Sequence, residues 1–231
     1  MHSADCEPRP DDFDLLEAWA HFHNGQFEEA CLLGLALGDS GMTVANMAAC
    51  VYASQLPPQN EQRMALCQAV SERAATHVEA EPGNPNAHYL LAISLARYGD
   101  GLSVTRGLAQ GLGSRIKDAL EKTISLQPRH ADAHFALGAF HADIIDKVGT
   151  LIAQMTYGAR REASLDMFEK GFALQPRSPF GLVEYGQALC ILDGDGIQDL
   201  ALALYRQAAG IKPLDAPQYL GVQQAKKRAS A

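Results

Sequence analysis

Aromatic residues are scarce in this chain, at 7% with a single Trp, and its 19 Lys and Arg are outnumbered by 27 Asp and Glu. The resulting net charge of −8 repels phosphate backbones and anionic headgroups, so neither a nucleic-acid nor a membrane partner is expected. Basic residues are dispersed apart from Lys226, Lys227 and Arg228, a run suited to the negative end of a last helix. No uncharged apolar stretch reaches the ~18 residues needed to cross a bilayer. The first ten residues, 1–10, carry no apolar segment of the secretory kind and no lipobox ahead of Cys6. They read as a disordered N-terminus without a signal peptide. Cysteines are few, odd in number and never spaced C-x-x-C: Cys6, Cys31, Cys50, Cys67 and Cys190. Four lie in apolar helical patterns, which predicts free thiols in a reducing compartment, the cytoplasm by default.

Catalytic signatures are missing as well. There is no G-x-S-x-G, no H-E-x-x-H, no Cys-His nucleophile pattern and no phosphate loop ending in G-K-[ST]. No enzyme activity and no cofactor are therefore expected. His130, His134 and His141, with Asp143 close by, fall near one helix face, but zinc needs three or four converging ligands. The plainer reading is that His134 and His141, like His88, fill large packing positions, so no metal is assigned. Gly107, Gly111 and Gly113 read as a turn ahead of a helix. Asp193-Gly194-Asp195-Gly196 lacks the further ligands and closing Glu of a calcium loop and reads as an inter-helix turn.

What is present is a repeat. Leu126-Gln127-Pro128 recurs as Leu174-Gln175-Pro176, with Ile211-Lys212-Pro213 as a third version, and each closes an amphipathic run. Proline lacks an amide donor and cannot continue a helix, so each marks a helix end. Pro82 to Ala92, Pro128 to Gly138 and Pro176 to Gly186 are all 10 residues apart. Around the small residue the pattern repeats: His88, Leu91, Ala92 and Leu95; His134, Leu137, Gly138 and His141; Leu182, Tyr185, Gly186 and Leu189. The following helices carry matching pairs at Ile116/Leu120, Ser164/Phe168 and Ala201/Tyr205. These are the W-x-x-L-G-x-x-Y and A-x-x-x-F spacings of a tetratricopeptide (TPR) repeat with the bulky ends replaced.

The expected fold is all-α: a right-handed superhelical solenoid of antiparallel helix pairs over a single domain, 11–231. Clear repeats are predicted at 85–128, 131–176 and 179–213, degenerate helix pairs at 11–40 and 42–82, and a capping helix at 215–229. Small residue and closing proline stand 36, 38 and 27 residues apart in the three clear repeats. A standard repeat places them about 24 apart within its period of about 34. Two repeats thus carry elongated helices or inserts, near 99–111 and 146–158. In the second, Val148, Leu151, Ile152 and Met155 are spaced as one helical face, which predicts burial against the insert at 102–112, over a ligand pocket or in a dimer contact. Gly149 reads as an insert glycine that alanine can replace.

Three segments carry a resemblance to a known family: Leu108-Ala109-Gln110-Gly111-Leu112-Gly113, His141 through Gly149, and Thr156-Tyr157-Gly158-Ala159. Over 107–219 the chain resembles the regulator of microtubule dynamics family and its bacterial relatives. The resemblance implies a TPR-like fold and an interaction role, and no catalytic activity. No residue supports carrying over the microtubule role.

In tetratricopeptide proteins the inner wall comes from the first helix of each pair. On this chain that face is predicted to carry Tyr89, Ile93 and Arg97; Asp132, Phe135, Ala139 and Asp143; and Val183, Gln187 and Cys190. Tyr89 and Ile93 stand where some members place the Lys and Asn that clamp a terminal carboxylate, so that mode is not expected. An apolar floor edged by Arg97, Asp132 and Asp143 suits an extended or helical peptide. The function expected is a non-enzymatic protein–protein interaction scaffold, monomer or homodimer, binding a peptide or partner helix in this groove. The alternatives are a groove already filled by the inserts or the last helix, and a carrier of a small apolar ligand between the elongated helices.

Overall fold

Helix-ending prolines, capping side chains and short connections set where each element starts and stops. A computed structural model describes Glu7, residues 9–57 and residues 60–230. Thirteen α-helices and two short 3-10 turns, with no strand, make up the regular structure of the described residues. By contacts they cluster into two compact units, Met1–Pro128 and Arg129–Ala231, where the sequence reading takes one run of repeats.

The first unit holds α1 (Phe13–His23), α2 (Phe27–Ala36), α3 (Met42–Ser54), α4 (Glu61–Ala80), α5 (Pro85–Asp100), α6 (Val104–Ala109) and α7 (Leu112–Leu126). The degenerate pairs expected at 11–40 and 42–82 are α1/α2 and α3/α4. Asp12 caps α1 by accepting from the amides of Asp14 and Leu15, which satisfies donors that the first turn leaves open. Asn60 and Asn84 do the same for α4 and α5. Helix α5 packs on α3, α4 and α7. The insert at 99–111 contains the short helix α6, and the left-handed Gly111 (φ 62°) turns the chain into α7.

The second unit holds α8 (Ala131–Val148), α9 (Thr150–Tyr157), α10 (Arg161–Leu174), α11 (Pro179–Asp193), α12 (Gln198–Ala209) and α13 (Ala216–Ala229). Its helix pairs close on the small residues that mark the repeat. A Cβ on Gly138 would stand 2.9 Å from the Phe168 ring, and one on Gly186 would stand 2.6 Å from the Tyr205 ring. Ser164, at the small position of the second helix, donates its hydroxyl to the Gly138 carbonyl at 2.7 Å, with both groups buried. The His-rich first helix is likewise interior. His130, His134 and His141 are buried, and the His130 Nδ1 accepts from the Ala133 amide at 3.1 Å, which makes the imidazole the N-cap of α8.

Two expectations for the insert at 146–158 are corrected. Helix α8 does run on to Val148, but Leu151, Ile152 and Met155 on α9 are 71, 54 and 80% exposed rather than buried. Only Ala153 and Tyr157 of α9 turn inward, Tyr157 standing edge-on to Phe140 at 6.4 Å. Gly149, between the two helices, has φ 80° and ψ 155°, a conformation closed to residues with a Cβ, so alanine is not a neutral replacement there.

Candidate interaction surface

The expected groove positions divide between the units, and their surroundings differ. In the first unit Tyr89, Ile93 and Arg97 follow one another along one stripe of α5 and are half-buried. Tyr89 and Ile93 rest on Ala49 and Cys50 of α3, Val70 of α4 and Leu90. The Arg97 guanidinium lies close enough to draw on the thiols of Cys50 and Cys67. Burial dominates there nonetheless, pushing the Cys50 thiol up to about 12, so it carries no nucleophilic thiolate at neutral pH. Cys31, Cys50, Cys67 and Cys190 are all free thiols; Cys6 lies outside the described residues.

A buried cation holds this stripe in place. Arg63, 4% exposed, donates to the carbonyls of Leu56 (3.2 Å) and Arg97 (3.5 Å) and to the Asp100 carboxylate (3.2 Å). It thereby ties the start of α4 to the end of α5. Sequence reasoning passed over Arg63, although it continues the buried row Cys67, Val70, Ala74 and His77 at helical spacing. Asn86 was missed on similar grounds. It precedes Tyr89 on the stripe of α5, is fully buried, and donates from Nδ2 to Glu7 Oε1 at 2.8 Å. Of the N-terminus expected to be disordered, Glu7 is thus held against α5, while residues 1–6 and 8 lie outside the described residues.

The second unit corrects two of the candidate positions. Phe135 is 0% exposed and belongs to the core, not to a wall. Gly171 and Gly181, bare of side chains, open a cradle for its ring: a Cβ on Gly181 would fall 2.6 Å from it. The Phe172 ring lies tilted against it, with 4.9 Å between ring centres. Val183 is 1% exposed and packs with Ala201, Tyr205, Ala208 and Ala225 beneath α13. Gln187 and Cys190 are half-buried, and Gln187 accepts from Arg228 of α13 at 2.8 Å. The last helix therefore covers this stretch of α11, which is the self-filled alternative realised locally. On α8, Asp132, Ala139 and Asp143 remain half-exposed, with Ala139 packed on the Phe135 cluster.

Asp193 forms a two-point ion pair with Arg161, at 2.7 and 2.9 Å, which joins the end of α11 to the start of α10. Among the described residues no group of His, Cys, Asp and Glu is arranged to hold a metal ion, and no helix is long and apolar enough to cross a membrane.

Among curated proteins, no sequence relative matches the chain. Among solved structures it is similar to a thermophilic TPR protein of Thermus thermophilus, at 17% identity and a TM-score of 0.62, covering 93% of this chain and 97% of that one. It is also similar to MamA, at 14% identity and a TM-score of 0.45, covering 96% of this chain and 100% of that one. The first likeness shows the fold, a TPR-like array of helix pairs. The family described as regulator of microtubule dynamics protein 1-3 matches residues 38–178. This match begins earlier than the resemblance read over 107–219 and takes in the degenerate pair α3/α4. The chain belongs to the regulator of microtubule dynamics protein 1-3 family.

Proposed function

We propose that this protein is a non-enzymatic interaction scaffold that takes its partner, a peptide or helix, on the inner stripe of α5 in the first unit. The observation that carries this reading is the contrast between the stripes. Tyr89, Ile93 and Arg97 keep part of their surface open, whereas Val183 is buried beneath α13 and Gln187 is bonded to it. An apolar pair followed by a cation, on a helix anchored by buried Arg63, is a rigid and preorganised surface of the kind peptide recognition uses. Asp132, Ala139 and Asp143 on α8 form a separate, smaller patch on the second unit. The free thiols support placement in the cytoplasm.

The carrier reading has less support. A carrier between elongated helices needs an inward apolar lining, and Leu151, Ile152 and Met155 are exposed instead. The scaffold reading is tested by affinity capture from the source cells with wild type, Arg97→Glu and Arg228→Glu. Loss of specific partners with Arg97→Glu alone is expected, with the helical signal unchanged. Identical partner sets for all three proteins would remove the α5 stripe from consideration.

A further inference from the structure

We propose that the protein associates with further copies of itself, the open face of α2 on one copy taking α13 of the next. The inference is independent of the α5 stripe and concerns different surfaces. Among the described residues, every exposed large apolar side chain lies on α1, α2, the two inserts or the stretch from α12 to α13. The inserts aside, stacking accounts for this pattern, because an inner helix pair is covered on both sides and an end helix on one. Helix α2 packs on α1 and α3, and α13 packs on α11 and α12. Leu32 on α2 is left 67% exposed, and Tyr219 on α13 is left 51% exposed.

The two faces carry opposite charge. Between Arg9 and Arg63 the sequence holds no Lys or Arg, and Glu28 and Glu29 stand exposed on α2. From residue 200 onward it holds Arg206, Lys212, Lys226, Lys227 and Arg228 against Asp215 alone. Arg228 is engaged by Gln187. Among the described residues Glu28, Glu29, Lys226 and Lys227 form no ion pair. Helix dipoles favour an acid at the start of α2 and a cation at the end of α13. They do not account for the exposed apolar side chains beside those charges, and an apolar centre edged by charge is how an interface is built.

The spacing of the two faces matches. Glu28, Leu32 and Leu35 follow one another at helical intervals on α2, and Tyr219, Gln223 and Lys226 do so on α13. Seven residues separate Glu28 from Leu35, and seven separate Tyr219 from Lys226. Antiparallel helices therefore set Glu28 against Lys226 and Leu35 against Tyr219, charge on charge and apolar on apolar. A second copy satisfies both faces, since every copy carries one of each. Contacts between unlike faces repeat from copy to copy, so the assembly grows with concentration or closes into a ring. The net charge of −8 opposes the approach of copies in general, so the match of local charges also fixes their orientation.

The test is the mass of the full chain by sedimentation velocity in low salt, up to about 100 µM, within the range of weak specific affinities. Wild type is expected to gain mass with concentration and to lose it in high salt. Glu28→Lys with Glu29→Lys, and separately Lys226→Glu with Lys227→Glu, set like charges face to face. Each pair is expected to weaken association at least about tenfold. An equal mixture of the two reversed proteins is expected to regain mass, because the basic α2 of one meets the acidic α13 of the other. A purely structural role for these residues would not produce that rescue, and a thermal melt confirms that both variants are folded. A wild type that stays monomeric throughout would give these faces to a different partner and overturn the proposal. Reversed variants that associate as wild type does, or a mixture that stays monomeric, would overturn it equally.

Discussion

Arg228 donates from Nη2 to Gln187 Oε1 at 2.8 Å, so a side chain expected to greet a partner on α11 is already held by the last helix. The two helices meet closely at Gly221, where a Cβ would stand 3.2 Å from the Pro179 Cβ and 3.5 Å from the Phe180 nitrogen. Gly221→Leu should therefore lift α13 and expose Val183. The expected cost is about 1–3 kcal/mol, read as a lower melting midpoint with faster amide exchange across 216–229. Unchanged exchange in α13 would show that the contact is not holding it.

Gly138→Leu drives a side chain into the Phe168 ring and Ser164 and should cost at least ~1–3 kcal/mol. Gly149→Ala acts by a different route, since nothing lies within 4 Å of its added Cβ. Its penalty is conformational, about 1–3 kcal/mol for a residue forced into a glycine-only region. A thermal melt of both variants, with alanine at the exposed right-handed Gly196 as the neutral comparison, separates the two mechanisms.

His130 predicts a pH dependence with a definite sign. Burial holds its imidazole down to about 4, against an ordinary value of 6.5, and neighbouring His134 pulls in the same direction. Between these values the unfolded chain binds the extra proton and the folded one does not, so stability rises with pH. The contribution is complete above pH 6.5 and is lost as pH falls through about 4. It amounts to about 3 kcal/mol in all. Melting midpoints at pH 7 and pH 4.5 should differ less for His130→Asn, which can still cap the helix, than for wild type.

Leu151→Ser with Met155→Ser removes two exposed side chains and should change stability by no more than about 0.5 kcal/mol. Retention on a hydrophobic resin should fall. A drop of several degrees in midpoint would mean that the face is covered in solution, and a wild-type mass that halves in the variant would assign the cover to a second copy.

The repeat was legible because its signals are local. A proline ends a helix by its own chemistry, and a small residue ten positions later admits the partner helix wherever the pair closes. Phe135 was not legible, because the cradle that buries it is made by Gly171 and Gly181 on two other helices. Its own segment shows only an aromatic residue on the inner stripe. The face of α9 misled for the opposite reason: apolar spacing implies a helix but does not supply a neighbour to cover it. Asn86 was missed although Asp132, which holds the corresponding position in the next repeat, was read as part of the wall.

The fit of Gly138 to Phe168, and of Gly186 to Tyr205, makes each helix pair a single packing unit. Where the first helix carries the larger Ala92, the matching position of the second is the smaller Leu120. An aromatic at that position would have to share with the Ala92 Cβ the space that glycine leaves open at Gly138 and Gly186. Chimeras that exchange whole helix pairs respect this trade of volume, and those that exchange single helices break it.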